Sequence, residues 1–150
     1  MRWPIDSGAA RPLTLGAPVA AVLLGAGAEW LDFRELRAAF LALGVAGVTV
    51  TALALRPGAW RAMPALRAAL LTVALGAATW AAAEATYVAL HLAQGERFHA
   101  ERFGPQPAQA IGLIAAHALF LGVPTGVAAA ALVFGREWLR RGARPADEAA

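Results

Sequence analysis

Neither cysteine nor lysine occurs in the 150 residues; all thirteen basic side chains are arginine. The missing cysteine removes disulfides, thiolate metal ligands and thiol nucleophiles together. Charge of either sign is scarce, at 15% of residues against about a quarter in a soluble domain. There is no glycine-rich phosphate loop, nucleophile elbow, zinc-protease helix or lipidation motif. Nor does any repeat of about 20 to 50 residues appear, so solenoids and internally duplicated folds are set aside. The sequence pI of 11.0 is no sign of nucleic acid, because the arginines are spread over the ends of apolar runs and form no dense basic patch.

What is present is hydrophobic: 59% of the chain, with a mean hydropathy of +0.56. Four apolar runs stand out, Leu13–Leu31, Leu36–Leu55, Leu66–Leu92 and Ile111–Phe134. Each is near or above the roughly 20 residues that cross about 30 Å of hydrocarbon. The expectation is an all-α polytopic membrane protein, a four-transmembrane-helix bundle in one domain, with a mobile tail over 136–150. The lipid bilayer is its first partner.

Arginine placement orients the bundle. With four spans, nine of the thirteen arginines fall on the side of both termini and four, Arg34, Arg37, Arg97 and Arg102, on the other. Both termini are therefore expected in the cytoplasm, with the chain in the inner membrane of a prokaryote. A competing reading treats residues 1–28 as a cleavable signal peptide, since Arg2 and Arg11 precede an apolar run ending in Ala26-Gly27-Ala28. The continuation of that run to Leu31 counts against it.

Small residues mark where helices approach. Gly16, Ala17, Ala20, Ala21, Gly25 and Gly27 line the first span, and Gly122 and Gly126 form a small-xxx-small pair in the fourth. Such faces suit packing on other membrane subunits or on a second copy. Pro124 removes a backbone donor and frees the carbonyl of Phe120, which predicts a kink there. The loop over 93–109 holds a near repeat, Glu96-Arg97-Phe98 and Glu101-Arg102-Phe103, suited to a short interfacial helix.

The third span carries one polar stripe: Trp80, Glu84, Tyr87 and His91. At 100° per residue their offsets return to nearly one angle, so all four share a face. A carboxylate near mid-membrane costs roughly 2.5–3.5 kcal/mol on insertion scales and calls for a partner or a purpose. Helical rise puts Glu84 about 12 Å below one end of span 3 and His117 about 13 Å below the same surface on span 4. The two spans are antiparallel, so Glu84 is expected to face His117, with Tyr87 close by. A column His99, His91, Tyr87, Glu84, His117 then runs from the outer surface inward.

Several chemistries suit such a column. Glutamate and histidine chains relay protons. His91, His117 and His99 suit a transition metal, or His91 and His117 the axial positions of haem b, with Arg97 or Arg102 on its propionates. A quinone head group meets histidine, tyrosine and glutamate equally well. The plain alternative is a buried hydrogen-bonded pair that fixes helix register. A second cluster, Glu29, Asp32, Arg34, Glu35 and Arg37, reads as mixed charges that neutralise one another at a turn. The leading expectation is a non-catalytic subunit or accessory protein of a membrane complex, its Glu/His/Tyr site in contact with quinone or protons. Alternatives are a haem- or metal-binding redox anchor, an oligomeric transporter or channel with Glu84 as its coupling carboxylate, and an intramembrane enzyme on a lipid-like substrate.

Overall fold

Runs of alanine, leucine and glycine with few breakers leave the backbone no way to satisfy its polar groups in lipid except within a helix. The computed structural model describes residues 16–55, 63–94 and 107–142, with the helix alone defined at 107–109 and 136–142. Every regular element in them is helical: α1 (Gly16–Trp30), α2 (Arg37–Leu55), α3 (Ala65–Ala93), and a fourth, continuous rod. That rod consists of α4 (Pro107–His117), a π-helical turn (Ala118–Gly122) and α5 (Val123–Gly142).

Three of the four rods are long and apolar enough to cross a membrane: Arg37–Leu55, Ala65–Ala93 and Ala110–Gly135. The fourth helix, α1, has 15 described residues, about 22 Å at 1.5 Å each; positions 13–15 of the expected first span lie outside the described residues. Large apolar side chains point outward on every rod, among them Val19, Val50, Leu70 and Phe120. Polar side chains such as Thr72, Thr79 and Thr125 point inward. An exterior more apolar than the interior stripe is the arrangement that lipid favours and water does not.

Helix α3 is the hub. It packs most closely on α1 and α5, and also touches α4, α2 and the π turn. Its crossing with α5 is made by glycine: a Cβ on Gly76 would lie 2.5 Å from the carbonyl oxygen of Gly122, and one on Gly126 would lie 2.5 Å from the Cα of Val73. On the other side, a Cβ on Gly25 would meet the carbonyl oxygen of Ala83 at 2.5 Å. The small-residue faces of the first and fourth spans are thus filled from within the chain. Close backbone approach at small residues is the usual basis of helix packing in lipid.

The helix widens just before Pro124. The N–H of Val123 donates to the carbonyl of Ala118, five residues back, which inserts one residue into the turn. Helix α5 continues to Gly142, into the first part of the expected tail; Arg136, Trp138, Leu139 and Arg140 are adequate helix formers and no breaker intervenes. The expected interfacial helix around Arg97 and Arg102 falls outside the described residues.

Two apolar clusters fill the bundle. Ala52, Ala68, Ala69, Ala130, Val133 and Phe134 pack at the end where α2 finishes and α3 begins. Leu24, Phe40, Trp80, Ala83 and Leu121 pack toward the other end and form the floor beneath the polar stripe.

Candidate functional site

The stripe on α3 faces into the bundle because α1 and the fourth rod close over it. Trp80 and Tyr87 are 5% and 7% exposed. Indole buried at this level needs a partner for its N–H, and Trp80 Nε1 donates to Thr125 Oγ1 at 2.9 Å, which donates in turn to the carbonyl of Leu121 at 2.7 Å. The threonine thereby serves the tryptophan and one carbonyl of the widened turn. Nothing in the sequence marked Thr125.

One turn further along α3, His117 Nδ1 donates to Glu84 Oε2 at 2.6 Å. The structure therefore brings together the two ionisable residues whose depths matched. The widened turn begins at the residue after His117, so it helps set the direction from which the imidazole reaches α3. The Glu84 side chain is 12% exposed and that of His117 34%.

The second pair was not foreseen. His91 Nδ1 lies 2.9 Å from both carboxylate oxygens of Glu29, and the geometry of a hydrogen bond is met at Oε1. Oε2 of the same carboxylate is buried and has no hydrogen-bond partner. The Glu29 side chain is 7% exposed, so it does not belong with the solvated charges of the turn. Of that expected cluster, Asp32 Oδ1 accepts the backbone N–H of Arg34 at 2.8 Å, while Glu29 turns inward because the close α1–α3 approach at Gly25 puts its helix face against His91. The ring of His91 lies on that of Tyr87, centroids 4.9 Å apart.

Both pairs open on one cavity of about 570 Å³, well within the size range of small-molecule sites. Trp80, Tyr87, Phe33, Leu24 and Leu121 supply its apolar walls; Glu29, Glu84, His91 and His117 supply its polar groups, with Asp32 and Arg34 toward the exposed turn. Phe33 packs edge-on to Trp80 at 6.2 Å and against Phe40 at 5.3 Å, so the turn after α1 folds back as one wall.

Among the described residues, no group of three or more His, Asp or Glu is placed to hold a metal ion. His99, Arg97 and Arg102 lie outside them. His91 and His117 each turn to a separate carboxylate. Their levels on α3, marked by His91 itself and by Glu84, differ by about 10 Å, unlike two ligands facing across one iron. Gly122 and Gly126 belong to the packing of the fourth rod on α3, Pro124 is exposed, and none of the three lines the cavity.

The site defines the class: a small helical protein of the membrane type with an inward polar pocket near one end of its bundle. In comparisons with known proteins, the chain matches no family model, no curated protein and no solved structure.

Proposed function

We propose that the chain is a small integral-membrane accessory protein of a prokaryotic inner membrane, with both termini cytoplasmic and an outer-leaflet pocket for a quinone-type amphiphile. The observation that carries this reading is the cavity itself. Aromatic and leucine walls accept a flat apolar ring, while two carboxylate–imidazole pairs stand where its polar substituents would lie. A few convergent polar groups in a largely apolar cavity are the usual make-up of a small-molecule site. Proximity to the exposed Trp30, which sits at an expected interface level, gives a membrane-soluble ligand a lateral approach.

The test is a titration of the protein in lipid nanodiscs with a short-chain ubiquinone, followed by tryptophan fluorescence. Trp80 and Trp30 both line the cavity, so a bound quinone should quench both saturably, and Trp80→Phe should reduce the saturable component. Quenching that stays linear, and is the same in Trp80→Phe and Glu84→Gln, would mean partition into lipid and would reject the pocket.

A further inference from the structure

Not every acceptor in the cavity is met. Two carboxyl side chains, Glu29 and Glu84, line it, and a carboxylate oxygen only accepts. Glu29 Oε2 is buried with no hydrogen-bond partner, although its side chain is more than nine-tenths buried. The single N–H at His91 Nδ1 is aligned with Oε1 and cannot serve both oxygens well. Glu84 receives one bond, from His117 at Oε2, and its Oε1 takes part in none among the described residues.

Three of the donors near these acceptors are already directed, while Tyr87, Arg34 and Trp30 also line the cavity. Trp80 Nε1–H is directed at Thr125, and both imidazole Nδ1–H groups are directed at the carboxylates. Arg34 stands in the exposed turn beside Asp32. Glu29 Oε2, buried without a hydrogen-bond partner, is therefore the point at which the pocket asks its ligand for a donor.

We infer that the pocket selects the reduced, hydroxyl-bearing form of its aromatic ligand, a hydroquinone, over the quinone, with Glu29 Oε2 as the acceptor of one ring O–H. This rests on the reading of the cavity as a quinone-type pocket. A quinone carries only carbonyl acceptors on its ring, so an oxygen placed at Glu29 Oε2 would face another acceptor. The hydroquinone has the same ring and tail, but each carbonyl becomes an O–H, and an O–H donated to a carboxylate is among the stronger hydrogen bonds available to a protein. Discrimination by a group built to hydrogen-bond a hydroxyl is large because the analogue that lacks it leaves a buried acceptor unpaired. The inference concerns binding alone and involves no electron transfer.

Three probes decide it: a short-chain ubiquinol, the matching ubiquinone, and the dimethyl ether of the ubiquinol, which keeps the ring but has no donor. Anaerobic calorimetric titration of the nanodisc protein should give a ubiquinol affinity on the order of tenfold to a hundredfold above the other two. Glu29→Gln brings amide donors of its own to the same place and should narrow that gap to about threefold or less, with helical content retained. Equal or tighter binding of the ubiquinone, or an ether that binds as well as the ubiquinol, would overturn the inference; the ether comparison needs no variant. Binding by none of the three would reject the underlying pocket reading, and the inference with it.

Discussion

Glu84 and His117 show how far single residues can be read from a membrane sequence. Each is rare at its depth, each needs a partner, and helical rise puts both at one level, so the 2.6 Å contact follows from counting residues. Glu29 escaped the same treatment. It sits beside Asp32, Arg34 and Glu35, where neutralisation within the turn is the simpler expectation, and only the packing of α1 on α3 turns it toward His91. Thr125 was equally hidden, because a threonine in a span most often bonds only its own helix; here it does that and also accepts from Trp80. Thr125→Val should leave the indole N–H unpaired and cost about 1–2 kcal/mol, given the modest value of such bonds within membranes. The same substitution in a Trp80→Phe background should cost clearly less. Reversible unfolding in mixed micelles measures both, and an identical cost in the two backgrounds would show that the bond contributes nothing.

At the scale of elements, the fourth rod is the least regular and the most informative. Pro124 was visible in the sequence, yet whether a proline produces a bend, a gap or a wider turn depends on what its neighbours allow. Gly122 must reach Ala77 and Gly76 on α3 while His117, five residues earlier, must reach Glu84. A π-helical turn between them adds one residue and so changes the angular relation of the two contacts. The glycines were legible as sites of close approach, but not the identity of the helix that approaches. A matched pair of substitutions separates the two questions. A Cβ at Gly126 collides with backbone, which cannot give way, so Gly126→Ala should destabilise by about 1–3 kcal/mol. Gly112 has nothing within 4 Å of its Cβ position, and Gly112→Ala should be neutral or stabilising by up to about 1 kcal/mol. Melting temperatures in one detergent suffice, and equal shifts would deny that the α3–α5 crossing depends on glycine.

For the molecule as a whole, the arginine distribution predicts a topology that the absence of cysteine makes easy to examine, since any engineered thiol is the only one present. Glu35 and Pro64 are both exposed and lie in connections at opposite ends of the bundle. A membrane-impermeant maleimide should label Glu35→Cys in intact spheroplasts and Pro64→Cys only after permeabilisation; the reverse pattern would invert the orientation. Fold class, helix number and approximate boundaries were determined by the sequence itself, because the length and composition of an apolar run are local properties and lipid permits few alternatives to a helix. The tertiary structure alone decided that the glycines of α1 are met by α2 and α3 and those of the fourth rod's crossing by α3, that Glu29 joins His91, and that both carboxylates open on one cavity. Those are questions of which helix faces which, set by close packing among several rods at once, and no single run of residues contains the answer.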